Sequence, residues 1–229
     1  MIKLSKRLKR IADLIDNGVS VIDVGTDHGY VPNFLCINNI SKDIIATDIS
    51  ENSLNKSIQL TQELNNEKYI KNILSNGIVK EPRENIIIAG LGGIQIAEII
   101  KNQIEVCQDA KKLILQPMQK TSILRRELMD NSFEIFDEDI IYEDDRFFEI
   151  LLAKYTGNNV SYSDKDLYIS KILVNRKNQI YYKFLLERKE ILDDILNKFI
   201  ANRQRALARR KELKLNLKYL EEAINAISS

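Results

Sequence analysis

The stretch Val19-Ser-Val-Ile-Asp-Val-Gly-Thr-Asp-His-Gly29 decides how this chain must fold. Val19 to Val24 is a short apolar, β-branched run, the mark of a strand buried on both faces. Gly25 and Gly29 then punctuate a tight turn, and a helix follows from about Tyr30, with Pro32 tolerated in its first turn. Upstream, Leu4, Leu8, Ile11 and Ile15 give an opening helix with one apolar face and a basic face of Lys3, Lys6, Arg7, Lys9 and Arg10. Downstream the same alternation repeats. Asp43 to Thr47 is a second strand ending at Asp48, and Ser50 caps a helix that runs to about Leu64. Tyr69–Leu74, Asn85–Ala89 and Lys112–Leu115 are three more strands, the last closed by Gln116-Pro117. Gly90 to about Ile104 and Thr121 to Asp130 are helical.

Five strand–helix alternations imply a parallel α/β sheet. Phe133–Tyr142 and Arg146–Tyr155 are long strands joined by Glu143-Asp-Asp145, too tight for a crossover, so this pair is antiparallel. At Thr156-Gly-Asn-Asn-Val-Ser161 the pattern stops, which divides the chain into domains 1–156 and 157–229. Beyond Ser163 there is no Gly or Pro. Leu185, Leu192, Ile195 and Phe199 fall at heptad spacing, as do Leu213, Leu217, Leu220, Ile224 and Ile227. Two long helices folded back on each other, with a turn in Asn197–Arg205, satisfy both narrow stripes.

Composition removes several function classes. In 229 residues there are two cysteines, Cys36 and Cys107, and one histidine, His28. That leaves no disulfide framework and no His-based metal cluster, so no metal is expected. The basic N-terminus lacks an apolar stretch typical of a signal peptide, and Ile86–Ile100 is too interrupted to span a membrane. A reduced, cytoplasmic protein is expected. The net charge of +1 conceals an asymmetry. Residues 157–229 carry 15 Lys+Arg and 9 Asp+Glu, against 19 and 24 in the remainder. The basic excess gathers in Arg203, Arg205, Arg209, Arg210, Lys211, Lys214 and Lys218, with a second cluster at Lys3–Arg10. Such a stripe is either a solvated helix face or a grip on a phosphate backbone.

Five motifs fall at the carboxyl ends of successive strands, the edge where open α/β sheets bind ligands. Asp23-Val-Gly-Thr-Asp-His-Gly29 has Asp27 where a dinucleotide fingerprint would have its second glycine, and no P-loop Lys follows. Two carboxylates repel a pyrophosphate, so a phosphate-free nucleoside fits better, and a sulfonium cation better still. Asp48 sits where an acid accepts from ribose hydroxyls, or else serves the turn before Ser50. Ser75-Asn-Gly77 can border an adenine, Ala89-Gly-Leu-Gly-Gly93 leaves open floor beside a ligand, and Leu115-Gln-Pro-Met118 can read a base edge. His28 suits a general base, a structural role or a stacking surface. A nicotinamide dehydrogenase shares the fold and the strand-two acid but not this first turn. A non-catalytic RNA-binding or coiled-coil adaptor is a rival of a different class.

Asp23-Val-Gly-Thr-Asp-His-Gly-Tyr-Val-Pro32 resembles the nucleotide-binding motif of the bacterial tRNA adenine-22 N1-methyltransferases, the TrmK family. Ala89-Gly-Leu-Gly-Gly-Ile94, Leu113-Ile-Leu-Gln-Pro117 and Glu143-Asp-x-x-x-Phe-Glu-Ile150 are similar to three further blocks of that family, in the same order, and the coiled-coil tail is similar too. The family pattern has Asp where Asn76 stands, Asn where Met118 stands, and Gly and Tyr where Asp145 and Phe148 stand. Asn76 can still bond an adenine amino group, whereas Met118 and Phe148 lack the polar atoms.

The resemblance implies a Rossmann-like class I methyltransferase sheet of seven strands with a C-terminal helical coiled-coil domain. It implies S-adenosylmethionine as cofactor, S-adenosylhomocysteine as product, and methyl transfer to N1 of an adenine in the tRNA D-arm; another RNA or a small molecule is the alternative acceptor. Cofactor contacts are then expected from Asp23, Gly25, Thr26, Asp27, His28, Asp48, Ile49, Asn76, Gly77, Ala89, Gly90 and Gly92. Asp27 and Gln116 are the catalytic and positioning candidates. His28, Tyr30 and Pro117 would meet the base, and Lys6, Arg7, Arg10, Arg205, Arg209, Arg210 and Lys214 the tRNA backbone. No membrane and no obligate protein partner are implied.

Overall fold

The structure, a computed structural model, describes residues 2–198 and 204–229. It comprises two compact units, Met1–Val160 and Ser161–Ser229. In the first, Ser5 caps helix α1 (Lys6–Asp13) by accepting from the Leu8 N–H, and Ile11 and Ala12 turn fully inward. Strand β1 (Val21–Val24) is buried at all four positions, as the unbroken apolar run demands. Helix α2 (Tyr30–Ile37) starts at Gly29, whose φ is +68°. A Cβ there would lie 2.3 Å from Ser57 Oγ, so glycine is required both by the dihedral and by the close approach of the next helix. Strand β2 (Ile44–Asp48) leads to α3 (Glu51–Glu63), where the Ser50 hydroxyl accepts from the Ser53 N–H.

Strands β3 (Ile70–Leu74) and β4 (Asn85–Leu91) follow. The predicted helix to Ile104 is two helices, α4 (Gly93–Asn102) and α5 (Ile104–Asp109), interrupted at Gln103. Strand β5 (Lys112–Pro117) extends two residues past the predicted end, so Gln116 and Pro117 belong to the sheet. Helix α6 (Thr121–Asp130) precedes β6 (Phe133–Glu143) and β7 (Arg146–Tyr155). Asp144 and Asp145 both have positive φ, the two-residue turn whose twist matches that of the flanking strands.

The seven strands form one sheet in the order β3-β2-β1-β4-β5-β7-β6. β1 to β5 run parallel, while β7 inserts antiparallel between β5 and β6. Strand order reverses between β1 and β4, which opens a crevice at their carboxyl ends. On the α6 side, Arg125 is buried against Glu138 and Glu149, with Nη2–O distances of 2.6 and 3.0 Å.

In the second unit, the short helices α7 (Asp164–Tyr168) and α8 (Lys171–Asn175) precede α9 (Gln179–Asn197) and α10 (Gln204–Ser228), and α10 packs on all three. α10 buries Leu213, Leu220, Ala223 and Ile227, with Leu217 and Ile224 half-buried, a heptad seam. α9 departs from its predicted stripe. It buries Tyr181, Leu185 and Leu192, but Ile195 is 43% exposed. Phe199 lies outside the described residues. The Tyr181 hydroxyl accepts from the Ser170 N–H at 2.7 Å and ties α9 to the start of α8.

Candidate functional site

At the β1–β4 crevice lies a cavity of about 620 Å³, the size of a site for a nucleoside-sized ligand. Asp23, Gly25, Thr26, Asp27, His28, Tyr30, Asp48, Ile49, Asn76, Gly77, Ala89 and Gly90 all line it. Residues spread over 67 positions of sequence therefore meet because their strands are neighbours and end together.

The acids are held differently. Asp23 is buried, and its Oδ2 accepts from the Thr26 hydroxyl at 2.7 Å. Burial pushes its carboxyl up to about 6; the Thr26 bond opposes this and Asp48 adds to it. Asp48 receives one backbone N–H on each oxygen, from Ser50 at 2.8 Å and from Asp27 at 2.9 Å. Each oxygen keeps a free lone pair, which suits a pair of vicinal hydroxyls. Asp27 takes a left-handed φ of +49° and projects its carboxylate, 64% exposed, toward the cavity mouth. His28 stacks on Tyr30 with ring centroids 5.2 Å apart and planes within 1°. Its Nε2 stands 3.6 Å from Asp27 Oδ2 and 3.5 Å from Lys56 Nζ. Gly90, at φ +79°, leaves the end of β4 bare, with Arg7 Nη1 at 3.7 Å from where a Cβ would be.

Several expected residues are elsewhere. Gln116 is fully buried and does not face the cavity. Its Oε1 accepts from Arg7 Nη1 and from the Gly90 N–H, and its Nε2 donates to the Pro117 carbonyl, so the amide has no free end to read a base. Pro117 is buried in β5, and Gly92 lies outside the cavity lining. Arg7 lines the cavity instead of facing solvent, and Arg10, with its side chain 41% exposed, pairs with Asp139. Lys6 is exposed. In the second unit Arg209, Arg210 and Lys214 are exposed, Arg209 pairing with Glu212 at 2.7 Å. The side chain of Arg205 lies outside the described residues.

Helix α4 also contributes Gln95, Glu98, Ile99 and Asn102 to the cavity, which attention to strand ends alone overlooks. Their i, i+3, i+4, i+7 spacing puts them on one face, and a largely polar stripe flanked by buried Ile96 and Ile100 was the available signal. Among the described residues no group of three or more His, Cys, Asp or Glu side chains could hold a metal ion. The donor set is acid-rich and lacks lysine, so it favours a nucleoside bearing positive charge over a phosphate.

The methyltransferase domain profile matches residues 4–151. The chain belongs to the methyltransferase domain family. It is 27% identical to the tRNA (adenine(22)-N(1))-methyltransferase of Bacillus subtilis, over 98% of each chain. The solved structure of the B. subtilis M1A22 tRNA methyltransferase TrmK superposes with a TM-score of 0.89 at 26% identity, covering 98% of this chain and 100% of that one. M. capricolum TrmK, solved in complex with the cofactor product S-adenosyl-homocysteine, gives 0.85 at 27% identity, over 98% and 99%. The family read from the sequence motifs is met by these matches across both units of this methyltransferase.

Proposed function

We propose that this methyltransferase transfers a methyl group from S-adenosylmethionine to N1 of adenine 22 in the D-arm of tRNA. The observation that carries the reading is the acid-lined cavity at the β1–β4 crevice, in a chain that matches a tRNA (adenine(22)-N(1))-methyltransferase almost from end to end. S-adenosylmethionine supplies an electrophilic methyl group on a sulfonium sulfur. Asp48 would take the ribose hydroxyls, Asn76 and Gly77 would border the adenine, and the bare turns at Gly25 and Gly90 would let backbone approach.

Adenine N1 already carries an in-plane lone pair, so no proton need leave before attack. The work of the protein is to hold N1 in line, and positioning dominates the rate. The methylated base is cationic, and the Asp27 carboxylate at the mouth offsets that developing charge. N1 lies on the Watson–Crick edge, so the target base must be unpaired or flipped out, and the stacked His28–Tyr30 pair offers it a surface. Lys6, Arg209, Arg210 and Lys214 would meet the tRNA backbone. No helix among the described residues is long and apolar enough to cross a membrane. We place the protein in the cytoplasm, with tRNA as its partner and with no membrane or obligate protein partner.

The test is to map methylation on total tRNA from a strain lacking the gene, and on a tRNA transcript treated with purified protein. Loss and restoration of N1-methyladenine at position 22 is the expected result. A mark that appears on another RNA, or none, overturns it.

A further inference from the structure

Arg7 is the only Lys or Arg among the described residues lining the cavity, where it faces four acids, Asp23, Asp27, Asp48 and Glu98. It sits there by construction. Its backbone N–H donates to Glu143 Oε2 at 3.2 Å, and its Nη1 donates to Gln116 Oε1 at 2.7 Å. Gln116 Oε1 also accepts from the Gly90 N–H at 3.2 Å, so one buried amide ties the guanidinium to the end of β4. The guanidinium carbon lies 5.4 Å from the centre of the Phe148 ring. A guanidinium carries five N–H donors, and Gln116 satisfies one. Burial pushes the Arg7 charge toward loss while Glu143 opposes this, so a half-buried cation of this kind is stabilised by an anion of its own.

Two kinds of anion are available to a tRNA methyltransferase: an RNA phosphate and the carboxylate of the cofactor's amino-acid end. A phosphate entering the cavity would meet four carboxylates, and repulsion disfavours it. A zwitterionic amino-acid end brings a cation for the acids together with an anion for the arginine. Gln116 of β5, which holds the guanidinium, also accepts from Gly90 at the end of β4, and β4 lies directly beside β1, which carries Asp23. The guanidinium from α1 is thus held at the end of the strand next to the one that carries the buried acid. We propose that Arg7 anchors the carboxylate of the cofactor's amino-acid end, with Gln116 as the positioning residue that aims its guanidinium. This inference rests on the methyltransferase reading above, and it assigns Arg7 to the cofactor in place of the tRNA backbone.

The experiment compares two ligands by calorimetric titration of the full chain. One is S-adenosylhomocysteine; the other is its decarboxylated form, which keeps the adenosine, the sulfur and the ammonium. The wild-type protein should prefer the carboxylate-bearing ligand by about ten- to a hundredfold, the range of a hydrogen-bonded charge pair. Arg7→Gln should erase that preference by weakening S-adenosylhomocysteine while leaving the decarboxylated ligand within about twofold. Arg7→Lys, which keeps the charge without the fork, should retain part of it, and it carries the test if the glutamine variant fails to melt cooperatively. A preference that survives in Arg7→Gln, or an equal loss for both ligands, overturns the assignment. So does unchanged cofactor affinity with a loss of tRNA affinity, which would return Arg7 to the RNA. A wild-type protein that binds neither ligand overturns the cofactor reading itself, a failure visible before any variant is made.

Discussion

The two units treat charge in opposite ways. In Met1–Val160, charged groups are taken inside and fixed: Asp23 and Asp48 are buried at the strand ends, and Arg125 is buried between Glu138 and Glu149. In Ser161–Ser229, no charged side chain among the described residues is buried, and its ion pairs, such as Lys165–Glu222 and Arg209–Glu212, lie in water. A buried charge acts over a few ångströms on one defined partner and is little affected by salt. An exposed basic stripe acts over a Debye length on any polyanion and is screened. The first arrangement suits a small ligand held in one geometry, the second a long phosphate backbone.

The largest effect that would sharpen this contrast is on stability. Arg125→Met removes the buried cation that Glu138 and Glu149 share and should destabilise the first unit by about 3–5 kcal/mol. A shift under about 1 kcal/mol in denaturant unfolding would show that water reaches this site and that its charges are not enclosed. Next comes the cavity. Asp48→Ala removes the acceptor for the Asp27 and Ser50 N–H groups along with any ribose contact, and should weaken S-adenosylhomocysteine binding by about ten- to a hundredfold. Unaltered affinity contradicts the ribose assignment.

Asp27→Asn keeps a residue type that tolerates the left-handed backbone but removes the charge. It should slow methyl transfer at least about tenfold under single-turnover conditions with cofactor affinity held, and an unchanged rate would remove Asp27 from the mechanism. In the second unit, replacing Arg209, Arg210 and Lys214 together by Gln should flatten the salt dependence of tRNA binding by about 2 in log–log slope, roughly 0.7 per phosphate contact. Cofactor affinity should not move. If tRNA affinity and slope both hold, the stripe is only a solvated face.

The smallest effect is a pH dependence. With its carboxyl raised to about 6 by burial, Asp23 favours the fold below its unfolded value near 4, and that contribution is lost as pH rises through about 6. Ligand binding runs the other way, because an ammonium prefers the ionised acid. Cofactor affinity should therefore fall several-fold from pH 7 to pH 5.5, and Asp23→Asn should flatten that profile. An equally steep profile in the variant assigns the proton to another group.

Periodicity made the sheet legible. Val21–Val24, Ile44–Asp48 and Asn85–Leu91 are buried runs bounded by turn residues, and such runs have few other ways to fold. The tight hairpin at Asp144-Asp145 could only be antiparallel. Spacing also placed most of the cavity, since strand ends in a parallel sheet converge on one edge. What it missed depended on direction. Gln116 has the right residue type at the right strand end, but β5 continues through Pro117 and turns the amide into the protein. Arg7 looked like one more cation on a basic helix face, yet it is the one that the packing of α1 against β6 directs into the cavity. Ile195 fits a heptad in register, but it stands 43% exposed, because which face of α9 is covered is set by its neighbours and not by its own spacing.

The sequence by itself determined the strand order's ingredients, the glycine-bounded turn with its two carboxylates, and the charge asymmetry between the two units. These are local or additive properties: glycine tolerance, apolar runs, counts of charge. The tertiary structure alone decided which of those charges are enclosed and which face water. Whether a guanidinium serves a cavity or a solvated face depends on what lies within a few ångströms of its tip, and those neighbours, Gln116, Gly90 and Phe148, come from positions 83 to 141 residues away.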